Sequence, residues 1–463
     1  MFPYAEESFT DEEADILRRY VTTLEGPVFA LVNLPEVVKG ALFARYSRSP
    51  KTLRRLFLDE FVGDLDVSGD ASVDATIGLR RAEELYDRVF LEYGDDSVAQ
   101  LGGVHLACEQ ASNLLTKVLE WGRLMAYLEQ STRYIGYDSR LATGRFRYYR
   151  DPEVLDSALG ARYVGEMDRM FEAYAELLPV MQGWLTRRYP KSENDSDFVY
   201  RTSIRAKALD SLRGMLPASS VSNVGIYGTG QAYEQLILRM RAHPLPEARR
   251  YAEMMLEELR KVIPSFLQRL DRPERGGVWA AYLASTRSET EKMVQQLWPE
   301  SHTETMDPAQ TGAPAVRLVD YDPAGEDKVL AAMCFSSSTL SDDELLRRVQ
   351  TLDESDRRAL ARAYVGDRTN RRHRPGRALE RTTYTFEIVS DYGAFRDLQR
   401  HRMLTVEWQN LSPDLGYELP DLVVEAGIAD RFEMSMARSV NLYRDLEEVF
   451  PERASYALAL AHK

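Results

Sequence analysis

The spacing of apolar residues predicts a mainly helical first part of the chain. Apolar side chains recur at helical spacing across residues 161–187 and 245–270, which predicts two long amphipathic helices. Residues 8–12 offer N-cap residues before a shorter periodic segment. Two further amphipathic stretches in residues 80–135 flank a polar turn at 93–97. Because Met and Leu stripes of this kind usually form cores, they indicate a fold and not a site.

The helical pattern stops at residues 299–327, which are rich in Pro, Gly, Thr and acids. This composition predicts a linker or a long surface excursion. Helical periodicity resumes at residues 342–360, and residues 382–389 alternate in the manner of a β-strand. A weak internal echo relates residues 38–49 to residues 329–339, since both precede a helix rich in Leu and Arg.

Length and charge narrow the class of protein. The chain has 463 residues, of which 44% are hydrophobic, so wholesale disorder is excluded and two or three domains are expected. The net charge of −14 argues against non-specific binding of nucleic acid. An anionic ligand must therefore be held by a local basic cluster that works against the overall field.

The two cysteines, Cys108 and Cys334, lack CxxC spacing. Their number and separation exclude a disulfide scaffold and a cysteine-based zinc site, and no metal site is expected. The N-terminal segment is acidic without an apolar signal core, and no run approaches the ~20 apolar residues that a membrane span needs. We therefore expect a soluble, cytoplasmic protein with no membrane partner.

Phosphate-loop, dinucleotide-loop, zinc-protease and serine-hydrolase signatures are absent from the sequence. One cluster nevertheless carries suitable chemistry, because Glu129, Ser131 and Arg133 would share one side of an extended segment. A hydroxyl beside a guanidinium suits a phosphate group, which accepts charge-assisted hydrogen bonds. The alternative is a capped turn with a surface salt bridge.

A second cluster concentrates positive charge in this acidic chain. Residues 399–402 read QRHR, and residues 371–377 read RRHRPGR. Each could be a solvated helix end or loop. Because the two clusters flank one predicted strand, and solvated like charges repel, they also suggest a bound anion such as a pyrophosphate.

The first half of the chain resembles the flavin-dependent thymidylate synthases. Residues 94–98 read GDDSV and resemble the family's Gly-His-x-Ser-Val turn, with Asp95 in place of His. Arg123 follows Ser97 by 26 positions (123 − 97), the spacing expected for the family. Residues 123–134, RLMAYLEQSTRY, then resemble the end of the family's signature closely.

The two halves depart from that signature in opposite ways. In the first half, Trp121 and Gly122 stand where the family has the Arg and His of an Arg-His-Arg tripeptide. The second half supplies this tripeptide at residues 400–402, after a strand-like segment at 383–386 that is also similar to the family. Its continuation, EWQNLSP at 407–413, lacks the family's Ser-x-Arg-Tyr. Each half has kept what the other has lost.

Two further positions bear on the resemblance. Residues 212–217, LRGMLP, are similar to the family's nucleotide-binding Arg-x-x-Leu-Pro, whereas the second half has Ala457 near that place. A later family arginine matches Arg239 and has no second-half counterpart. Family Asn residues expected near the flavin fall at Gly228 and Glu234, so the first half is not expected to hold flavin alone.

The resemblance implies an α+β fold with two tandem units that form a pseudo-dimer, each a helix-rich domain around a small, mainly antiparallel sheet. We place the first unit at 1–275, a connector at 276–326, and a second unit, shortened at its C-terminus, at 327–463. Family members are homotetramers with active sites between subunits. A tandem chain would therefore carry both parts of one composite site, and two chains would form a homodimer of four halves.

The resemblance also implies a reaction: dUMP becomes dTMP with methylenetetrahydrofolate and NADPH as co-substrates and FAD as cofactor, without a protein thiol. Ser131, Arg133 and Arg213 would bind the phosphate group of the nucleotide. Glu129 would orient the sugar or neighbouring donors. Arg400 would contact the uracil ring and stabilise the charge that develops on it.

For the cofactor, the resemblance points to Arg400, His401 and Arg402 at the flavin, and to Arg371 and Arg374 at its pyrophosphate. Two alternatives stay open. The chain could be a degenerate homologue that serves as a binding or assembly partner without turnover, or a flavin enzyme acting on another pyrimidine nucleotide. Asp95, Thr405 in place of the signature's first Ser, and the missing late arginine favour these alternatives.

Overall fold

The computed structural model describes residues 4, 7–34, 38, 39, 42, 43, 46–60, 102–299 and 315–463. The turn predicted at residues 93–97 therefore lies outside the described residues. The chain forms two compact units, of which the first comprises Met1–Thr305 with Asp391–Lys463 and the second Met306–Ser390. The boundaries predicted at 275 and 327 refer to sequence repeats and not to compact units, and they stay a prediction.

A four-stranded antiparallel sheet lies at the centre of the first unit. Its strands are β1 (Val28–Leu31), β2 (Gly103–Ser112), β3 (Ala126–Glu129) and β4 (Val221–Thr229), in the spatial order β1-β2-β4-β3. All of β1 and most of β2 are buried. Since β3 pairs with β4 from Ala126 to Glu129, the sheet fixes where Glu129 lies.

Helices cover this sheet. The described helices of the first unit before residue 305 are α1 (Asp11–Leu17), α2 (Leu53–Glu60), α3 (Asn113–Leu119), α4 (Pro152–Leu155), α5 (Gly160–Arg188), α6 (Asp197–Leu212), α7 (Gly230–Arg241), α8 (Pro246–Arg260), α9 (Pro264–Leu267) and α10 (Val278–Leu297). After the second unit the chain returns to the first, where it forms α14 (Tyr392–Gln399), α15 (Asp421–Glu425) and α16 (Ala429–Val449). None of the described helices is long and apolar enough to cross a membrane.

Several sequence-based predictions of helices are confirmed. The helix predicted at 161–187 is α5, whose Met and aromatic residues lie in the core, and Thr10 caps α1 in a capping box with Glu13. The single helix predicted at 245–270 is wrong. The chain breaks after α8 because Pro264 cannot continue a helix, and short helical turns follow it.

The described part of the second unit contains a two-stranded antiparallel sheet and three α-helices. Strand β5 (Val316–Tyr321) pairs with β6 (Tyr384–Ile388), and the chain between them forms α11 (Gly325–Phe335), α12 (Asp342–Val349) and α13 (Glu354–Val365). The strand predicted at 382–389 is thus confirmed. The linker predicted at 299–327 is corrected, because β5 lies within it. Helix and small antiparallel sheet occur in both units, which confirms the α+β class.

The C-terminal residues pair with the chain that precedes β4. Pro217 and Ala459 form an antiparallel bridge, and the Leu460 amide donates to the Leu216 carbonyl at 2.9 Å. A buried carboxyl group strengthens this junction. Glu247 on α8 accepts hydrogen bonds from the Ser112 amide (2.9 Å), the Ser112 hydroxyl (2.6 Å) and the Tyr456 hydroxyl (2.7 Å). It therefore ties β2, α8 and the C-terminal segment together.

Glu247 is expected to make folding stability fall with pH. Burial raises the pKa of this carboxyl to about 7, although the Ser112 and Tyr456 donors oppose the shift. A raised carboxyl pKa contributes stability below the ordinary value, and the contribution is lost as pH rises through about 7. The protein should lose about 2–3 kcal/mol of unfolding free energy between about pH 5 and pH 8 from this group. Urea unfolding of Glu247→Gln should show a flatter pH dependence, and an unchanged slope would contradict the assignment.

Candidate functional site

Two short helices bring together the segment around Glu129, from the first half of the sequence, and the segment around Arg400, from the second half. Ser112 caps α3 through the Leu115 amide, and Asp391 caps α14 through the Ala394 amide. The helices are joined directly, since the Gln399 side chain donates to the Lys117 carbonyl at 2.7 Å. Residues 121–134 leave α3 and residues 400–408 leave α14 on this shared framework.

Glu129 lies at the centre of the resulting cluster. Its side chain has no solvent exposure, and its Oε1 accepts from Arg396 Nη2 at 2.8 Å. Its Oε2 accepts from Arg400 Nη2 and from Lys117 Nζ, the latter at 3.3 Å. The first and second halves of the sequence thus meet at a single carboxylate. Two of its three cations, Lys117 and Arg396, were not predicted.

Electrostatics keeps Glu129 ionised. Burial opposes its ionisation, but Arg396, Lys117 and Arg400 together hold the pKa of this carboxyl well below its usual range. Glu120 also pairs with Lys117, at 2.7 Å, and burial raises the pKa of its carboxyl. Three cations surround one ionised carboxylate, so the cluster favours negative charge nearby.

The predicted phosphate-binding arginines also lie together. Arg133 donates to Asp210 at 3.1 Å through Nε and to Asp397 at 2.9 Å through Nη2. Arg213 lies 3.3 Å from the same Asp210 oxygen and 3.8 Å from Asp397. Asp397 sits on α14 between Arg396 and Arg400, so one helix orients both the buried carboxylate and the arginine pair.

The backbone around Ser131 differs from the prediction. Glu129 ends β3, and the following residues form a turn in which the Ser131 carbonyl accepts from the Tyr134 and Ile135 amides at 3.2 Å each. The extended segment predicted for residues 129–133 is therefore wrong beyond Glu129. The turn orients Arg133 away from the buried carboxylate, and the Ser131 hydroxyl accepts from the Arg133 amide at 3.3 Å.

The predicted flavin-binding segment lies beside aromatic rings. His401 is exposed, and the Arg402 guanidinium lies over the Tyr127 ring, 5.4 Å from its centroid. Arg239 lies over the Trp121 ring at 4.7 Å, and its buried Nε has no hydrogen-bond partner among the described residues. Burial lowers the pKa of this guanidinium. A donor is therefore left available next to Trp121.

Arg371 and Arg374 belong to the second unit. Both are exposed in a loop held by His373, whose carbonyl accepts from Arg368 at 2.7 Å and whose ring contacts Asn370. Neither of these two arginines takes part in the ion pairs of Glu129. Their assignment to a pyrophosphate remains a prediction.

Five charged residues of the cluster were missed by sequence reasoning: Lys117, Glu120, Asp210, Arg396 and Asp397. A signal existed for two of them. Lys117 and Arg396 precede Trp121 and Arg400 by four residues each, and residues four apart lie on the same helix face. The pairing of both aspartates with Arg133 had no local signal, because Arg133 lies in a distant segment, although Asp210 precedes its other partner, Arg213, by three residues.

The two halves are related by a constant offset in this region. The helix caps Ser112 and Asp391 differ by 279 positions (391 − 112), as do Trp121 and Arg400 (400 − 121). The same offset relates Glu129 to Trp408. The counterpart of the Arg400–Glu129 ion pair is therefore Trp121 with Trp408, and these rings do meet, edge to face, at 5.5 Å between centroids. An aromatic pair occupies the mirror position of the ion pair.

The comparisons with known proteins fit this arrangement. A family model described as "Thymidylate synthase complementing protein" matches residues 47–265 and 317–463. Proteins described as UPF0159 protein from Chlamydia pneumoniae and Chlamydia muridarum are each 38% identical over 463 residues, covering 99% of this chain and 85% and 86% of their own lengths. A UPF0159 protein from Thermoplasma acidophilum is 29% identical over 452 residues, covering 92% of this chain and 84% of its own. These names state no activity.

Proposed function

The chain belongs to the thymidylate synthase complementing protein family, and on this premise we propose that it is a flavin-dependent thymidylate synthase-like methyltransferase. It converts dUMP to dTMP with methylenetetrahydrofolate and NADPH. The reaction takes place at a composite site formed by the two halves of one chain. The observation that carries the proposal is the contact of Arg400, from the second half, with the buried Glu129 of the first.

The phosphate group of the nucleotide binds at Arg133, Arg213 and Ser131. The two arginines converge on the same aspartates, so their guanidinium groups lie close enough to share one phosphate. Arg213 is mostly buried, which limits its motion and aims it at the exposed Arg133. Planar guanidinium groups suit phosphate because each presents two parallel donors.

Glu129 acts on its neighbouring donors and not on the sugar. Both of its carboxylate oxygens are already bound by cations, and its side chain is closed to solvent. Of the two roles that we considered, orientation of neighbouring donors fits this geometry. Arg400 remains half exposed at the end of α14, where it can contact the uracil ring. A fixed cation at that place stabilises negative charge as it develops on the ring.

The residues beside Arg400 fit a flavin cofactor. FAD would supply the reducing chemistry, and the exposed His401, Arg402 and the unpartnered Nε of Arg239 would provide donors for it. The Tyr127 ring, under the Arg402 guanidinium, contributes an aromatic face. Burial raises the pKa of Cys108 well above its usual range, so the reaction uses no thiolate there.

Each chain is expected to bind one nucleotide. Trp121 and Trp408 occupy the mirror position of the ion pair, and the counterparts of Ser131 and Arg133 at the same offset are Asn410 and Ser412, which cannot hold a phosphate as strongly. Calorimetric titration with dUMP should give one site per 463-residue chain. A stoichiometry of two would show that the mirror site also functions.

The partner in the assembly is a second copy of this chain. Two copies supply the four halves of the family's tetramer, and one helix offers exposed apolar side chains for the contact. Helix α10 buries none of its 20 residues and exposes Trp279, Tyr282 and Leu297. Sedimentation at micromolar concentration should show a dimer, whereas a monomer would contradict this proposal.

Two measurements test the function. The purified protein should be yellow with bound flavin, and its gene should rescue a bacterial strain that requires thymidine. A colourless protein without turnover would favour a non-catalytic binding or assembly partner. A yellow protein that fails to rescue growth but modifies another pyrimidine nucleotide would replace the substrate and keep the cofactor.

A further inference from the structure

Two cations that belong to no recognised signature contact Glu129. Lys117, on α3, and Arg396, on α14, reach the carboxylate from opposite halves of the sequence. We propose that Arg396 and Lys117 are positioning residues that fix the Glu129 carboxylate, which in turn holds the Arg400 guanidinium in its working orientation. This inference rests on the proposed function, because the orientation of Arg400 matters only if Arg400 faces the substrate.

The two oxygens of the Glu129 carboxylate bind different residues. Arg396 binds Oε1, while Lys117 and Arg400 share Oε2, so the carboxylate cannot rotate without breaking an ion pair. Arg400 is half exposed and long, and an unrestrained arginine loses rotamer freedom when it is ordered. A carboxylate that is already fixed lowers this cost for catalysis.

Because Lys117 and Arg396 are buried, they can act only through Glu129. Their side chains are 2% and 7% exposed, so neither can contact a nucleotide or a flavin directly. Arg396 Nε is buried without a hydrogen-bond partner among the described residues. A guanidinium in such a place is strongly disfavoured unless an ionised partner compensates it, and the described partner is Glu129.

The charged groups that face Glu129 determine how it titrates. They are Lys117 and Glu120 from α3, Arg396 and Arg400 from α14, and more distantly the hydroxyl groups of Tyr137 and Tyr392. Only the three cations oppose the effect of burial on the Glu129 carboxyl. Removing one of them raises its pKa, so protonation at mildly acidic pH should release Arg400. The wild-type protein should show no such transition.

The test compares Arg396→Met and Arg396→Lys in the flavin-loaded, full-length protein, with dUMP turnover measured across pH. For Arg396→Met, kcat should fall by about 10²-fold, the loss typical of a misplaced catalytic group, with a smaller change in KM. A new acid limb should appear in its pH profile. Arg396→Lys should recover much of the activity, since it restores the charge. Arg438→Met, which removes an exposed ion pair with Glu166, serves as the control and should leave kcat unchanged.

The outcomes separate the inference from the proposed function. If wild-type protein turns over dUMP and Arg396→Met matches it in kcat and pH profile, the positioning role is wrong and the function stands. If wild-type protein neither binds nor turns over dUMP, both are wrong. Should Arg396→Met fail to fold, Lys117→Gln decides the question, because it removes the weaker 3.3 Å contact with Glu129, together with the 2.7 Å contact with Glu120, and should give the same acid limb. A flat profile in that variant would overturn the inference.

Discussion

Replacing Glu129 by alanine is expected to lower the free energy of unfolding by about 3–5 kcal/mol. The substitution leaves Arg396 buried without its counter-charge and Lys117 paired with Glu120 alone, and a buried unpaired cation is far more costly than a small cavity. The loss exceeds what an ordinary truncation of a glutamate on the surface would produce. Urea unfolding followed by circular dichroism, at a pH near 7, measures it.

An exposed carboxylate in the same cluster provides the control. Asp397 also pairs with an arginine, Arg133, but both side chains are about half exposed. Asp397→Asn should therefore cost less than about 1 kcal/mol, the usual worth of a solvent-exposed ion pair. Equal losses for the two substitutions would mean that burial does not determine the strength of the Glu129 cluster.

The second large effect is expected at the nucleotide. Arg133→Ala should weaken dUMP binding by about 10- to 10²-fold, because it removes a charge-assisted phosphate donor worth about 1.5–3 kcal/mol and leaves Asp210 and Asp397 with Arg213 alone beside the phosphate. The bound flavin should be unaffected, since Arg133 is not among the residues proposed to hold it, which are His401, Arg402, Arg239 and Tyr127. Calorimetry with dUMP and the flavin absorbance of the same preparation measure both quantities.

Arg140, which pairs with two residues of α5, provides a matched control. Arg140 is an exposed arginine that also pairs with two carboxylates, Asp168 at 3.0 Å and Glu172 at 2.8 Å. Arg140→Ala should change neither dUMP binding nor flavin content. If Arg133→Ala instead loses its flavin and still binds dUMP, the division of the site between the two halves is wrong.

Local patterns predicted the elements whose signals are short-range. Three such predictions are confirmed: the apolar stripe of α5, the cap of α1 and the alternation of β6. Each depends only on residues a few positions apart in the sequence. The helix predicted at 245–270 is longer than α8. The apolar spacing continues past Pro264, but a proline cannot continue the hydrogen bonding of a preceding helix. The segment after Glu129 was read as extended because alternation of residue types cannot distinguish a strand from a turn.

The sequence by itself determined the family and the complementary loss of its signature in the two halves, because these are contiguous patterns of residue types. Only the tertiary structure decided that α3 and α14 lie side by side, which brings residues 271 positions apart, Glu129 and Arg400, into one ion pair. It also revealed Lys117 and Arg396 and placed Trp121 against Trp408. The physical reason is that burial and charge pairing depend on distance in space: a carboxylate becomes a fixed anchor only when folding removes water and surrounds it with cations from remote segments.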